Sequence, residues 1–236
     1  MIEYPTNWQK NYEEYGNFNT LDIPKIVETL FSIVRGFGVK HLAYSGGIDS
    51  TIILFMLSHI YRDVYTYTIS SRVDHPDIKF ARFGAKYYGS HHTEFIVTPT
   101  QVDSDKFQGD NAVRQLFENV KGYTDKIIFC DGIDEFMCGY YDHQDMSMKT
   151  YIYYLSKLCS DHLIPLNNNS GEIQVYLPYL DDNLIEIFRN IPLHVKVSEN
   201  NRKKVVVGIA EYLAIPERFV SRNKYGFCEA FIEKNK

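Results

Sequence analysis

The sequence predicts an α/β protein, with a parallel sheet in its first part and a helical half behind it. Three observations carry that expectation. Short β-rich runs alternate with helical patterns up to about residue 140. An apolar strand over 39–44 runs directly into Ser45-Gly-Gly-Ile-Asp-Ser50, and that loop opens a helix. Beyond residue 140 only helical patterns are visible.

Residues 1–20 are polar and aromatic without a period and read as an N-terminal arm. Residues 21–236 read as one domain, with a nucleotide half to about 140 and a helical half from about 141. Ile23, Ile26, Val27, Leu30, Phe31 and Val34 recur at helical spacing, with Pro24 in the first turn and Gly36 and Gly38 at the exit. The strand at 39–44 and a helix at 50–60 follow. Val64 to Ile69 alternates as a second strand, Ile78 to Tyr88 is helical, and Thr93 to Val97 is a third strand. Ala112 to Val120 is helical, and Lys126 to Cys130 is a fourth strand. Alternation of this kind predicts a Rossmann-like sheet with right-handed crossovers. Helices are then expected near 147–162, 181–190 and 200–213, with Asn167 to Gly171 as a turn.

The composition narrows the class. Hydrophobic content of 44% suits a globular chain with a real core. No apolar run reaches membrane-span length, and Met1-Ile-Glu-Tyr4 begins no signal peptide. The cysteines at 130, 138, 159 and 228 form no framework and read as reduced thiols of a cytoplasmic protein. Net charge is −5, with ten Lys/Arg against five Asp/Glu from Arg189 onward. A basic C-terminal segment can fold back over phosphates, whereas a face-wide nucleic-acid footprint is not visible.

The Ser45–Ser50 loop carries the sharpest chemistry. Its glycines let backbone N–H groups turn inward, and the helix behind adds the positive end of its dipole, so the loop suits a polyanion. Asp49 would repel that anion unless a cation joined it, and the Mg²⁺ carried by a nucleotide triphosphate resolves the conflict. No Gly-Lys-Ser/Thr follows, so this is not a Walker loop, and G-x-G-x-x-G is absent. The pattern resembles the SGGxDS loop of the ATP pyrophosphatase (PP-loop) superfamily, whose members cleave ATP between the α and β phosphates. That resemblance implies an adenine nucleotide alpha hydrolase-like fold.

Ligands of open parallel sheets sit at the C-terminal strand ends. The fourth strand ends at Cys130-Asp131-Gly132-Ile133-Asp134-Glu135, so Asp49 and Asp134 can share a metal with the triphosphate. Phe129 to Tyr140 is similar to the SGxGxDExFGGY signature of the asparagine synthetase C-terminal domain. His75-Pro-Asp-Ile-Lys-Phe-Ala, continuing to Tyr88-Gly-Ser-His-His, resembles that family's proline-aspartate helix. Leu177-Pro-Tyr-Leu-Asp181 resembles its (V/L)PFLD element. Lys204 stands twenty residues before Lys224, with Pro216 between them, again as in the family.

The resemblance implies roles position by position. Ser45, Gly46, Gly47, Asp49 and Ser50 would hold the ATP pyrophosphate, with Asp49 and Asp134 on Mg²⁺. The backbone at Tyr44 and Ile69 would line the adenine pocket, and Cys130 and Gly132 stand at nucleotide-contacting positions. Lys224 matches the lysine over the reacting carboxyl and phosphate, where charge accumulates in the transition state. Lys204, or its neighbour Lys203, would steady the pyrophosphate. Asp131 stands where the family has a glutamate and is a candidate for taking the proton of the attacking amine.

The departures are as specific. Ile2 occupies the place of the cysteine that opens the family's glutaminase domain. Phe129 and Cys130 replace a Ser-Gly, and residues 100–120 do not reproduce the aspartate-binding helix, although Arg114 can meet a carboxylate. His91-His92 lacks a third ligand at fitting spacing and reads as the start of a strand.

The expected activity is an ATP-dependent ligase that adenylates a small carboxylate, aspartate or an analogue, and transfers it to ammonia or an amine, releasing AMP and pyrophosphate. A separate ammonia-delivering protein is an open partner; the acyl substrate and the oligomeric state stay open too. The alternatives are a PP-loop enzyme that modifies tRNA or a nucleoside, and a non-catalytic nucleotide-binding subunit. Acidic net charge and a missing catalytic cysteine pair weigh against the first. The intact loop and lysines weigh against the second.

Overall fold

A computed structural model describes residues 21–100, 108–222 and 231, with residues 108 and 109 as backbone only. Helix α1 (Ile23–Phe37) buries Ile26, Val27, Leu30 and Val34 on one face, starts at the Asp22 cap and ends at Gly38. Strand β1 (His41–Ala43) then delivers the chain into the Ser45 loop and helix α2 (Ile48–Ile60). Seven residues of α2 are buried, which explains why it reads as apolar all round.

Strand β2 (Tyr65–Ser70), helix α3 (Pro76–Tyr88), strand β3 (His91–Ile96), helix α4 (Gln108–Val120) and strand β4 (Lys126–Ile128) complete the alternating part. The α3 boundaries follow from local chemistry. His75 caps the amide of Asp77, Pro76 sits in the first turn, and Gly89 ends the helix at φ +71. His91 opens β3, where it meets Asp63 at 3.4 Å, while His92 Nδ1 lies 2.9 Å from the Thr66 hydroxyl.

The sheet has five parallel strands in the order β3-β2-β1-β4-β5. Its fifth strand, β5 (Gln174–Tyr176), corrects the expectation that residues beyond 140 are wholly helical. Three residues are too few to show a period, and β5 is held by pairing Lys126, Ile127 and Ile128 with Gln174, Val175 and Tyr176. The second half therefore completes the sheet of the first.

Between the two lie α5 (Ile133–Phe136), a 3-10 turn at Tyr141–Asp145, α6 (Met148–Lys157) and α7 (Ile164–Ser170). A π-helical turn at Leu158–Leu163 joins α6 to α7. The expected turn at Asn167 to Gly171 is thus mostly the last part of α7, and only Gly171 turns, at φ +58. A 3-10 turn at Pro178–Leu180, then α8 (Asp182–Arg189), α9 (Leu193–Lys196), α10 (Lys204–Tyr212) and α11 (Glu217–Val220) follow. Helix α2 packs against α1, α3 and α10, and α4 packs against α7 and β2. Among the described residues no helix is long and apolar enough to cross a membrane. The arm at 1–20 lies outside the described residues.

Candidate active site at the strand-order reversal

Strand order reverses between β1 and β4, where Leu42 pairs with Ile128. Loops leaving the carboxyl ends of such a strand pair form the usual ligand crevice of an open parallel sheet. Here those loops are Ser45–Gly47 and Cys130–Gly132, and both line a cavity of about 660 Å³.

The first loop is braced internally. Gly47 donates to Ser45 Oγ at 3.3 Å, and the Ser50 hydroxyl donates to the Gly47 carbonyl at 3.2 Å. Gly46 adopts φ +70, and a Cβ there would lie 2.5 Å from the Ala81 amide nitrogen. The glycine is needed so that the loop can rest against α3. Arg222 draws the C-terminal segment to the same place, donating to the Ser45 carbonyl at 3.1 Å and pairing with the buried Asp77 carboxylate. Tyr179, from the Leu177–Asp181 element, donates its hydroxyl hydrogen to the Asp49 carbonyl at 2.9 Å.

Across the crevice, Gly132 at φ +93 starts α5 and presents Asp134 and Glu135 in its first turn. Lys203 Nζ sits 2.5 Å from Asp49 Oδ2 and 2.6 Å from Asp134 Oδ1. Burial alone would lower the Lys203 ammonium, but Asp134 and Asp49 outweigh it and hold the group well above its ordinary value. Lys203 itself stands in the left-handed region, φ 53 and ψ 33, at the cap of α10. Gly139 leaves room for this group: a Cβ would fall 1.7 Å from Asp134 Oδ1 and 2.6 Å from Lys203 Cε.

The far wall is acidic. Glu135 is buried, accepts from the Tyr140 hydroxyl at 2.6 Å, and lies 3.6 Å from His162 Nε2. Burial raises the Glu135 carboxyl, with His162 pulling against it. Burial also raises Asp131, again opposed by His162, and pushes the Cys130 thiol up. His162 and Asp161 come from the π-helical turn, a feature that often marks functional sites.

The expected residues divide into three groups. Ser45, Gly47, Asp49, Ser50, Cys130, Asp131, Gly132 and Asp134 all line the cavity. Tyr44, Gly46 and Ile69 do not. The Tyr44 amide donates to the Tyr67 carbonyl at 2.8 Å, and its own carbonyl accepts from the Thr68 hydroxyl. Of the two neighbouring lysines, Lys204 is exposed and donates to the His194 carbonyl at 3.0 Å, whereas Lys203 lines the cavity. Lys224 lies outside the described residues. Arg114 is engaged by Glu118 at 2.9 Å and Asn111 at 3.1 Å and does not line the cavity.

Gly139 and Glu135 lie inside the Phe129–Tyr140 motif, Tyr179 inside Leu177–Asp181 and Arg222 two residues before Lys224, but their contacts depend on partners distant in sequence or on backbone geometry that the motifs do not mark. The site also fits a magnesium ion. Asp49 and Asp134 converge on one cation, and Asp49 Oδ1 is a buried oxygen with no hydrogen-bond partner among the described residues. Among the described residues no set of three His, Cys, Asp or Glu could hold a metal alone. Two carboxylates suffice for Mg²⁺ when phosphates and water supply the remaining ligands.

A glycine-braced loop, two acidic helix first turns and a buried lysine at the sheet's reversal point define a nucleotide-type α/β domain. The chain belongs to the asparagine synthase family, whose profile matches residues 42–108 and 166–235, more than half of its length. Among solved structures it is similar to NMN synthetase from Francisella tularensis, at 12% identity and a TM-score of 0.51, covering 89% of this chain and 78% of that one. NH3-dependent NAD synthetase from Campylobacter jejuni subsp. jejuni is also similar, at 16% identity and a TM-score of 0.40, covering 72% and 93%. No curated protein matches.

Proposed function

We propose that the chain is an ATP-dependent carbon–nitrogen ligase that adenylates a small carboxylate, aspartate or an analogue, and passes the acyl group to ammonia or an amine. The observation that carries this reading is the convergence of Asp49, Asp134 and Lys203 beside the Ser45–Gly47 loop. In this reading the loop amides and the α2 N-terminus hold the triphosphate. Asp49 and Asp134 hold Mg²⁺, which when bound neutralises charge on the pyrophosphate leaving group. Lys203, rather than Lys204, steadies the pyrophosphate. Lys224 stabilises charge at the reacting phosphorus and acyl carbon. Asp131, raised by burial, receives the proton of the attacking amine.

The test is pyrophosphate release from ATP against a panel of carboxylic acids, with ammonium or hydroxylamine as the nucleophile. AMP and pyrophosphate are expected in a carboxylate-dependent manner. Carboxylate-dependent ADP and phosphate would overturn the reading, because the loop lacks the lysine that serves the β and γ phosphates in Walker enzymes.

A further inference from the structure

Lys203 occupies the position where Asp49, in the first turn of α2, meets Asp134, in the first turn of α5. Its ammonium lies 2.5 Å from one carboxylate and 2.6 Å from the other, and the residue is 8% exposed. Two local features keep it there. The left-handed backbone at Lys203 aims the side chain inward, and the missing Cβ at Gly139 makes space for its stem. A non-glycine residue is held in that conformation only where its surroundings require it.

We propose that Lys203 is a resident counter-ion that reserves the metal position between Asp49 and Asp134 until a nucleotide arrives. The proposal rests on the ligase reading above. Two carboxylates and one ammonium leave a single negative charge, too little to draw magnesium away from its hydration shell. A divalent ion beside the ammonium would also meet direct repulsion. A triphosphate changes both conditions, because its oxygens ligate the metal and give the ammonium new acceptors. The flexible four-carbon stem lets Lys203 turn from the carboxylates to the phosphates without moving the backbone. Metal and triphosphate therefore enter together, and the free metal does not enter alone.

Mn²⁺ serves as the probe, with free ion counted by electron paramagnetic resonance, with and without α,β-methylene-ATP. Wild-type protein should bind Mn²⁺ only with the nucleotide analogue. Lys203→Met should bind Mn²⁺ alone at least about tenfold more tightly than wild type, and adding Asp49→Asn should abolish that gain. Lys203→Gln takes its place if the methionine variant does not fold. Tight Mn²⁺ binding to wild type without nucleotide would overturn the counter-ion role, as would no gain in either lysine variant. Absence of Mn²⁺ binding to wild type even with the analogue would instead remove the shared-metal reading, and this proposal with it.

Discussion

The Tyr179 hydroxyl donates to the backbone carbonyl of Asp49 at 2.9 Å, across 130 positions of sequence. The bond ties the Leu177–Asp181 element to the first turn of α2 and so fixes the carboxylate that faces Lys203. Tyr179→Phe should cost about 1 kcal/mol of stability in urea titration, the net worth of one hydrogen bond. It should also weaken nucleotide binding measured calorimetrically. Unchanged values in both measurements would make the bond incidental.

Asp49→Asn and Asp134→Asn should each abolish magnesium-dependent turnover. Each alone leaves Lys203 one carboxylate and should cost about 1 kcal/mol of stability. The double variant strands a buried ammonium and should cost about 3–5 kcal/mol, more than the sum. Additive costs in denaturant titration would show that Lys203 finds another partner.

Two glycines make opposite predictions. Gly139→Ala forces a Cβ to within 1.7 Å of Asp134 Oδ1 and should destabilise by about 1–3 kcal/mol. Gly36, inside α1, has nothing within 4 Å of its Cβ position. Gly36→Ala should stabilise by about 0.5–1 kcal/mol. Equal thermal shifts for the two variants would contradict the crowding assigned to Gly139.

Arg222 and Asp77 form a buried pair beside the phosphate loop, with side chains 5% and 6% exposed. Arg222→Met should cost about 3–5 kcal/mol, because it leaves a carboxylate buried without its cation. Adding Asp77→Asn should recover much of that loss. Failure of the second change to recover stability would indicate that Arg222 acts through its other contacts, the Ser45 carbonyl and the Phe80 ring among them.

Lys196 is 1% exposed, donates to the Tyr151 hydroxyl at 2.7 Å, and burial pushes its amine down to about 7, against a smaller opposing effect of Cys138. Between pH 7 and about 10 the unfolded chain holds a proton that the folded chain has released, so this group makes stability rise with pH by up to about 1.4 kcal/mol per unit. Wild type should therefore gain about 2–3 kcal/mol over Lys196→Met between pH 7.5 and 9.5. Parallel pH profiles would mean that Lys196 stays charged when folded.

Local patterns made much of this architecture readable before any coordinates. The Ser45–Ser50 loop and the Cys130–Glu135 strand end are each contiguous, and alternation places both at the carboxyl edge of a parallel sheet; that β1 and β4 are neighbours is given by the strand order. What escaped depended on distant contacts. β5 has three residues and exists through its pairing with β4. The choice between Lys203 and Lys204 turns on one left-handed residue that the sequence does not mark. The bonds that tie the Tyr44 backbone to Tyr67 and Thr68 are visible only once β2 is in place.

The pairing of Lys203 with Asp49 also has a consequence for biosynthesis. Asp49 leaves the ribosome 154 residues before its cation does, and Asp134 also precedes it. The first four strands can pair while both acids still repel each other. The shared cation arrives only with the α10 cap, after β5 has joined β4, so the nascent chain carries two facing carboxylates without it until Lys203 emerges. A chain stalled short of Lys203 keeps Asp49 and Asp134 without that cation.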